Sequence, residues 1–319
     1  MRILITGSAG FVAPYIADAL RALAPHDCDV VQTVRKTGQT TIPGVYNLDI
    51  EDAEAVRSCV QTARPTHVVH LAAVSSPHAA GADPDLAWRV NVGGTLSIAR
   101  AILEYQPDCT LLFAGSGQVY GETAKLNRAM TETDVIAPVS DYAVTKAAAD
   151  LALGALATKG LRCVRFRPFN HTGVGQTEDF VLPSFAAQIA RIEAGMSPPV
   201  IRVGNLDVER DFLDVRDVAE AYAHAVLRSD DIPPGTILNI ASGRPQRIGA
   251  LLDTLLACST VPISVEQDKT RMRGNETPRF FGDAGRAKAV LEWAPRREFS
   301  TVLQQLLQAA RSSLSGAIT

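Results

Sequence analysis

Apolar residues in this chain follow two alternating patterns. Five runs of five or six residues are almost continuously apolar: 2–6, 30–34, 67–71, 110–114 and 161–166. Runs this short and this apolar predict buried strands. The longer segments between them space their apolar residues by three and four, as amphipathic helices do. One such helix ends near Leu23, one spans about Asp52 to Ala63 and one about Pro84 to Tyr105. A fourth opens at Ser140-Asp141-Tyr142 and stops before Gly160. Ser140 suits an N-cap, Asp141 suits the positive end of the helix dipole, and Gly160 suits the stop. Strand–helix alternation of this kind predicts an α/β fold, a Rossmann doubly wound parallel sheet whose ligand lies at the carboxyl ends of the strands.

Beyond Phe166 the alternation fades. A polar, glycine-containing loop (167–176) leads to a predicted helix from Pro183 to Glu193, with Pro183 in its first turn. A strand at 200–203 comes next, and Asp217-Val-Ala-Glu220 reads as a capping box opening a helix to Arg228. One further sheet strand spans Thr236 to Ile240, and an amphipathic helix runs from about Phe299 to Ser312. The expected division is a dinucleotide-binding domain of residues 1–169 plus about 205–243. A smaller, partly discontinuous substrate domain takes about 170–204 and 244–319.

The strand ends carry the candidate chemistry. Gly7-Ser-Ala-Gly10-Phe-Val-Ala13 sits between the first strand and the first helix. Gly7 allows the tight turn, Gly10 lets backbone N–H groups approach a pyrophosphate, and Ala13 keeps the helix close to the sheet. The second strand ends in Arg35-Lys36, with no Asp or Glu between Val30 and Thr41. An acid there would bind a ribose 2′-hydroxyl and a base would bind a 2′-phosphate, so the pair favours NADP(H) over NAD(H). Asp49-Ile50 falls where an adenine edge is read; the alternative is that Asp49 caps the next helix. Ala72-Ala73 are small enough for a cofactor to lie against the backbone, and His70 before them reads as a core histidine. Asn91-Val-Gly-Gly-Thr95 puts a polar residue and two glycines inside a helix, which costs stability and so predicts a packing or functional reason.

Ser116 ends the fifth strand. Tyr142 and Lys146, four residues apart, share one helix face. An ammonium beside a phenol lowers the phenol pKa from about 10 towards the working pH, giving a proton donor and acceptor beside Ser116. Gly7, Arg35, Ala72 and Ser116 all fall at strand carboxyl ends and converge on one crevice.

Composition narrows the class without choosing the chemistry. The 319 residues are 46% hydrophobic and 20% charged, with a formal net charge of −3. That balance suits a soluble globular protein and argues against nucleic-acid binding. Five cysteines without a C-x-x-C pair predict reduced, buried thiols. No leader or membrane-length apolar run is visible, so a cytoplasmic protein is expected, with no membrane partner and no metal site.

With Thr6-Gly7-x-x-Gly10-Phe11, His70-Leu-Ala-Ala73, Ser116 and Tyr142-x-x-x-Lys146 in hand, the chain resembles the extended short-chain dehydrogenase/reductases. More narrowly, it is similar to their nucleotide-sugar epimerase/dehydratase/reductase group. Val119-Tyr120-Gly121, Arg210-Asp-Phe-Leu-Asp-Val-Arg-Asp217 and Leu291-Glu-Trp-Ala-Pro295 extend the likeness over nearly the whole chain. The resemblance implies a Ser116/Tyr142/Lys146 triad. It also implies cofactor contacts at Gly7, Ala9, Gly10, Phe11, Val12, Arg35, Asp49, Ile50, Leu71, Ala72, Ala73, Asn91 and Phe169. Members usually dimerise through a four-helix bundle that includes the Tyr-x-x-x-Lys helix, so a homodimer is expected.

The 4,6-dehydratases of this group carry acids just after the triad Ser/Thr; here those positions are Gly117 and Gln118. An amide exchanges no proton near neutral pH, which leaves reduction or epimerisation. Arg167-Pro-Phe-Asn-His-Thr-Gly-Val-Gly-Gln176, the Gly204–Asp217 segment and Arg271-Met-Arg273 are similar to GDP-4-keto-6-deoxy-D-mannose reductases. This likeness implies NADPH, with NADH also accepted, and a GDP-linked sugar held by Asn170, Arg210 and Arg271 or Arg273. Ser75, Ser116, Val181 and Glu276 are further substrate contacts on this reading, and Gln118 would orient the sugar. Val174 and Gly274 stand where the family commonly has Pro, a departure that bears on the substrate loops. The alternatives are a C4 epimerase that retains its NAD and a non-catalytic dinucleotide sensor.

Overall fold

Six of the strands of the central sheet come one after another in the chain: β1 (Arg2–Thr6), β2 (Asp29–Val34), β3 (Val45–Asn47), β4 (His67–His70), β5 (Thr110–Ala114) and β6 (Cys163–Pro168). Three strands outside it follow, β7 (Asn170–Thr172), β8 (Val200–Val203) and β9 (Glu209–Asp214), before β10 (Thr236–Ile240) completes it. The order is β10-β6-β5-β4-β1-β2-β3, parallel throughout, so the topology reverses beside β1, where doubly wound folds bind their ligands. The computed structural model describes residues 1–35, 44–272 and 277–316.

The continuous apolar runs are explained by burial on both faces. Ile3, Ile5, Val69, Leu112 and Phe166 point into one core; Leu4, Val68, Leu111, Phe113 and Cys163 point into the other. Each fully buried side chain of this kind contributes roughly 1.5–3 kcal/mol. The helices, in chain order, are α1 (Ala13–Leu23), α2 (Ala53–Ala63), α3 (Pro77–Ala82), α4 (Pro84–Ala87), α5 (Thr95–Tyr105), α6 (Asp141–Ala157), α7 (Val181–Glu193), α8 (Val215–Leu227), α9 (Ile248–Leu256), α10 (Gly285–Leu291) and α11 (Phe299–Gly316). Helices α1, α8 and α10 cover the first face, and α2, α5 and α6 the second. None of these helices is long and apolar enough to cross a membrane. A third core lies beside the sheet, where α7, α9 and α11 pack against β8 and β9 through Phe185, Ile201, Phe212, Leu252 and Leu307. Around it β9 pairs with β7, β11 (Pro245–Arg247) and β13 (Arg279–Phe280), and β8 pairs with β12 (Ser264–Gln267).

Four sequence expectations shift. The chain does not re-enter the large sheet's layers near residue 205: Val208 and Phe212 belong to the third core, and the return begins at Leu213 and continues into α8. Late in the chain, Ala287, Leu291 and Trp293 go back onto the first core, so 244–319 is not all on the small side. Asp217 and Glu220 do not form a capping box. Helix α8 starts three residues earlier, capped by Asp214, whose carboxylate accepts from Arg216 N at 2.8 Å. Asp217 instead binds the Arg297 guanidinium at 2.6 Å and Glu220 takes its other arm at 2.7 Å, fastening the segment after Trp293 to α8. Helix α7 begins at Val181 rather than Pro183, with no side-chain cap at Phe180.

The fourth shift concerns the glycines near Asn91. The predicted 84–105 helix is interrupted by a π-helical segment, Trp88–Gly94. A Cβ on Gly94 would lie 2.6 Å from Ile50 Cδ1, so the glycine is there to let the segment pack on that side chain. Gly81 in α3, by contrast, faces open space. Gly81→Ala is expected to stabilise the protein by about 0.5–1 kcal/mol and Gly94→Ala to destabilise it by about 1–3 kcal/mol. Urea unfolding of the two variants checks the opposite signs.

Candidate active site

A cleft of about 1010 Å³ runs along the carboxyl ends of the central strands and under α7. Its floor depends on one backbone contact. Gly7, at φ +72°, lies so near the exit of β4 that a Cβ would be 2.8 Å from both N and Cα of Ala72. Only glycine fits, and the turn after β1 is pressed against Ala72 as a result. Gly10 N donates to Gly7 O at 2.9 Å, and the first turn of α1 has no side-chain cap at Val12. Its N–H groups are therefore left for an acceptor from outside the helix. Ala9, Phe11, Val12, Leu71, Ala73 and Ser75 also line this part. Below it His70 bridges Thr6 (2.7 Å) and Thr95 (3.0 Å), and burial pushes its pKa down to about 3. It is a neutral core histidine.

At the far end of this floor Arg35, exposed, and Asp49 line the cleft with Ile50. Asp49 does not cap α2; it accepts from Glu51 N at 3.0 Å, and Asp52 caps the helix through Glu54 N and Ala55 N. Lys36, Arg273 and Glu276 lie outside the described residues.

Asn91 is not a lining residue, contrary to the sequence expectation. It is 1% exposed, and its amide accepts from Val74 N (2.8 Å) and donates to Val74 O (3.2 Å) and Thr145 Oγ1 (3.0 Å). It ties the segment after β4 to α6 from behind.

Ser116, Tyr142 and Lys146 meet in the middle of the cleft. The strand β5 delivers Ser116 through Gly115, where a Cβ would sit 2.4 Å from Phe166 O. Ser116 Oγ accepts from Gln118 N at 3.1 Å and so opens the short helical turns Gly117–Leu126, which kink at Gly121. Lys146 is 4% exposed and donates to Ala114 O at 2.9 Å, 5.4 Å above the Phe113 ring. Burial lowers its pKa to about 8. The expected lowering of Tyr142 by this lysine is corrected. Burial dominates and raises the phenol, and a hydrogen-bonding interaction with the Ser116 side chain opposes the rise. Tyr142 is held as a protonated donor.

On the other side, Phe169, Asn170, Val181, Arg210 and Arg271 line the cleft, as does Gln118. Arg210 donates to Glu209 O (2.8 Å) and Thr277 O (2.9 Å), which fixes its side chain at the rim. In the 167–176 loop the sequence pointed to Asn170 and did not single out His171. The structure stacks His171 on Phe11, with ring centroids 6.3 Å apart and planes 7° from parallel, joining that loop to the glycine turn. Tyr15 adds a second tie, donating to Val174 O at 2.7 Å. No sequence signal relates positions so far apart. Among the described residues, no group of His, Cys, Asp or Glu side chains is placed to hold a metal ion.

Comparison with known proteins gives a consistent set of likenesses. The NAD dependent epimerase/dehydratase family matches residues 3–241. The GDP-6-deoxy-D-mannose reductase of Pseudomonas aeruginosa is 32% identical over 307 residues, 96% of each chain. Among solved structures, RMD from Pseudomonas aeruginosa complexed with NADPH superposes with a TM-score of 0.86 at 30% identity, covering 98% of this chain and 99% of that one. The UDP-glucose 4-epimerase of Thermus thermophilus in complex with NAD gives 0.82 at 27% identity, covering 98% and 100%.

The buried lysine carries a stability signature. Below pH 8 both folded and unfolded chains hold its proton, and the folded state bears the full cost of the buried charge. Between about 8 and 10.5 the unfolded chain binds more protons, so stability rises with pH in that window. Lys146→Met removes the group, and its stability advantage over the wild type is expected to narrow from pH 8 to 10.5. Urea unfolding at stepped pH measures this.

Proposed function

The chain belongs to the NAD dependent epimerase/dehydratase family and is an NAD(P)-dependent oxidoreductase, and on that basis we propose that it reduces the C4 ketone of GDP-4-keto-6-deoxy-D-mannose with NADPH, forming GDP-D-rhamnose. The observation that carries this reading is the segment after Ser116. Gly117 carries no side chain, a Cβ there would already press on the Phe169 ring at 3.1 Å, and the next residue is the amide Gln118. The carboxylates that line the cleft, Asp49, Glu178 and Asp179, lie on other segments. Dehydration needs an acid and a base at the reacting sugar, whereas ketone reduction needs one proton donor. The relative named as a reductase, 32% identical over 96% of the chain, supports the same choice.

The residues fit a bound dinucleotide. The glycine turn pressed on Ala72 and the uncapped start of α1 suit its pyrophosphate, and Arg35 suits a 2′-phosphate. When bound, NADPH supplies the hydride. Tyr142 donates its proton to the oxygen that develops negative charge, and Ser116 Oγ hydrogen-bonds that oxygen. Lys146 stabilises the phenolate left behind and holds the nicotinamide ribose. Gln118 orients the sugar, while Asn170, Val181, Arg210 and Arg271, with Ser75, bind the sugar nucleotide. Guanidinium forks such as those of Arg210 and Arg271 suit diphosphate oxygens.

We also infer a homodimer through α6. That helix carries apolar residues around its circumference: Ala149 and Leu153 are buried against the sheet, and Leu151 is 59% exposed on the other side.

Purified protein mixed with GDP-4-keto-6-deoxy-D-mannose and NADPH is expected to consume the reduced-nicotinamide absorbance. A folded sample that consumes none overturns the reading, and retained NAD with UDP-hexose interconversion would make it an epimerase. Tyr142→Phe is expected to lower kcat by about 10²–10⁴-fold. Turnover is expected to fall as pH rises through about 8, where Lys146 loses its charge, and a pH–rate profile tests this. Leu151→Glu is expected to yield monomers by light scattering.

A further inference from the structure

Asp150 lies on α6 one turn beyond Lys146 and two beyond Tyr142, along the same stripe of the helix. Its side chain is fully buried. The carboxylate accepts from Arg167 Nε (3.0 Å) and Nη2 (3.2 Å) and from Arg165 Nη1 (2.9 Å). Arg167, on β6, is itself 2% exposed, and its remaining nitrogen, Nη1, reaches the Tyr120 hydroxyl at 3.1 Å. Its guanidinium carbon lies 5.2 Å from the centre of the Tyr120 ring. Tyr120 in turn donates to Asn239 Oδ1 on β10 at 2.7 Å. Tyr120 is four residues past Ser116 and two past Gln118, within the same short helical turns.

One buried guanidinium therefore joins the two segments that bring the reactive groups together. Its carboxylate partner belongs to the helix of Tyr142 and Lys146, and its phenol partner to the turns that begin at Ser116. Asp150, Arg167, Tyr120 and Asn239 are all outside the set of residues that line the cleft, so none of them touches a ligand there. A buried ion pair replaced by well-packed apolar residues is often neutral or even more stable, so stability is a weak account of such a bridge. Arg165 provides an internal contrast. It shares the Asp150 carboxylate, but its other nitrogens go to Gly235 O at 2.7 and 3.2 Å, away from the turns after Ser116.

We propose that the Asp150–Arg167–Tyr120 bridge is a positioning device that sets Ser116 and Gln118 in register with Tyr142 and Lys146. It rests on the reading of those residues as the reductase site. Tyr120→Phe deletes the hydroxyl while keeping the ring that stacks on Phe169, with centroids 6.3 Å apart. It is expected to lower kcat by roughly 10- to 100-fold, as small misplacements of reacting groups do, with KM for NADPH and for the keto-sugar changed by no more than about twofold. Arg165→Gln, which disturbs the same carboxylate without touching the turns after Ser116, is expected to lower the melting temperature and leave kcat unchanged. An unchanged kcat in Tyr120→Phe overturns the proposal. So does an equal fall in kcat in Arg165→Gln, which would make the effect one of stability. The Ser116 Oγ to Tyr142 Oη distance, in crystal structures of wild type and both variants with NADPH, gives a readout that does not depend on the sugar. It is expected to lengthen only in Tyr120→Phe, and an unaltered distance there overturns the bridge. If the wild type fails to turn over the keto-sugar, the reductase reading falls and this distance alone decides the positioning role.

Discussion

A lysine ammonium buried in the wall of the cleft is the constraint from which the rest of the site follows. Among the described residues Lys146 has one protein acceptor, the carbonyl of Ala114, and an aromatic ring lies beneath it. The burial that lowers its pKa also keeps the neighbouring phenol protonated. A charge so placed weakens the fold and strengthens the electrostatics of the site in one stroke, because low local polarity magnifies every interaction with a developing charge. The buried Asp150, two arginines and Asn91 are then intelligible as the surroundings that keep α6 in place despite that cost. They anchor the helix to β6 and to the segment after β4 without entering the cleft.

The cleft is assembled from two kinds of contact, and the division is physical. On the dinucleotide side the chain is close-packed backbone against backbone, with Gly7 on Ala72 and Gly115 on Phe166, where a single methyl group has no space. On the sugar side the lining comes from loops and from side chains held by hydrogen bonds, such as Arg210 on two carbonyl oxygens. The first surface is fixed by sterics and suits a ligand part shared across a family. The second is adjustable by substitution, which suits discrimination between sugar nucleotides.

The large sheet was legible because burial on both faces leaves short, largely apolar runs, and the glycine turn because only a strand–glycine–helix context gives that pattern its meaning. Tyr142 and Lys146 could be paired by helical spacing and Ser116 placed by its strand end, whereas their grouping as a triad came from the family resemblance. What escaped were features that depend on partners distant in sequence. Asp217 looks like a cap in isolation, yet its acceptor capacity is taken up by Arg297, eighty residues on. Asn91 has the look of a ligand contact and is a structural tie, because whether an amide faces a cleft or a backbone segment is settled by tertiary packing. The lysine's effect on Tyr142 was misjudged for a related reason: adjacency on a helix says which groups are near, while burial, invisible in a local pattern, decides the pKa.

The strand order also has a consequence for how the molecule comes into being. The edge strand β10 and the helix α10 belong to the large sheet's layers, yet both lie beyond β7, β8 and β9 of the smaller unit in the chain. During synthesis the first six parallel strands therefore emerge with one edge unpaired and part of one face uncovered, and they stay so until most of the second unit has followed. Neither unit is a contiguous segment that completes itself first, and no single cut separates them. The cleft also takes late residues, Arg271, Thr277 and Phe280, so its lining is complete only after β10 has closed the sheet edge.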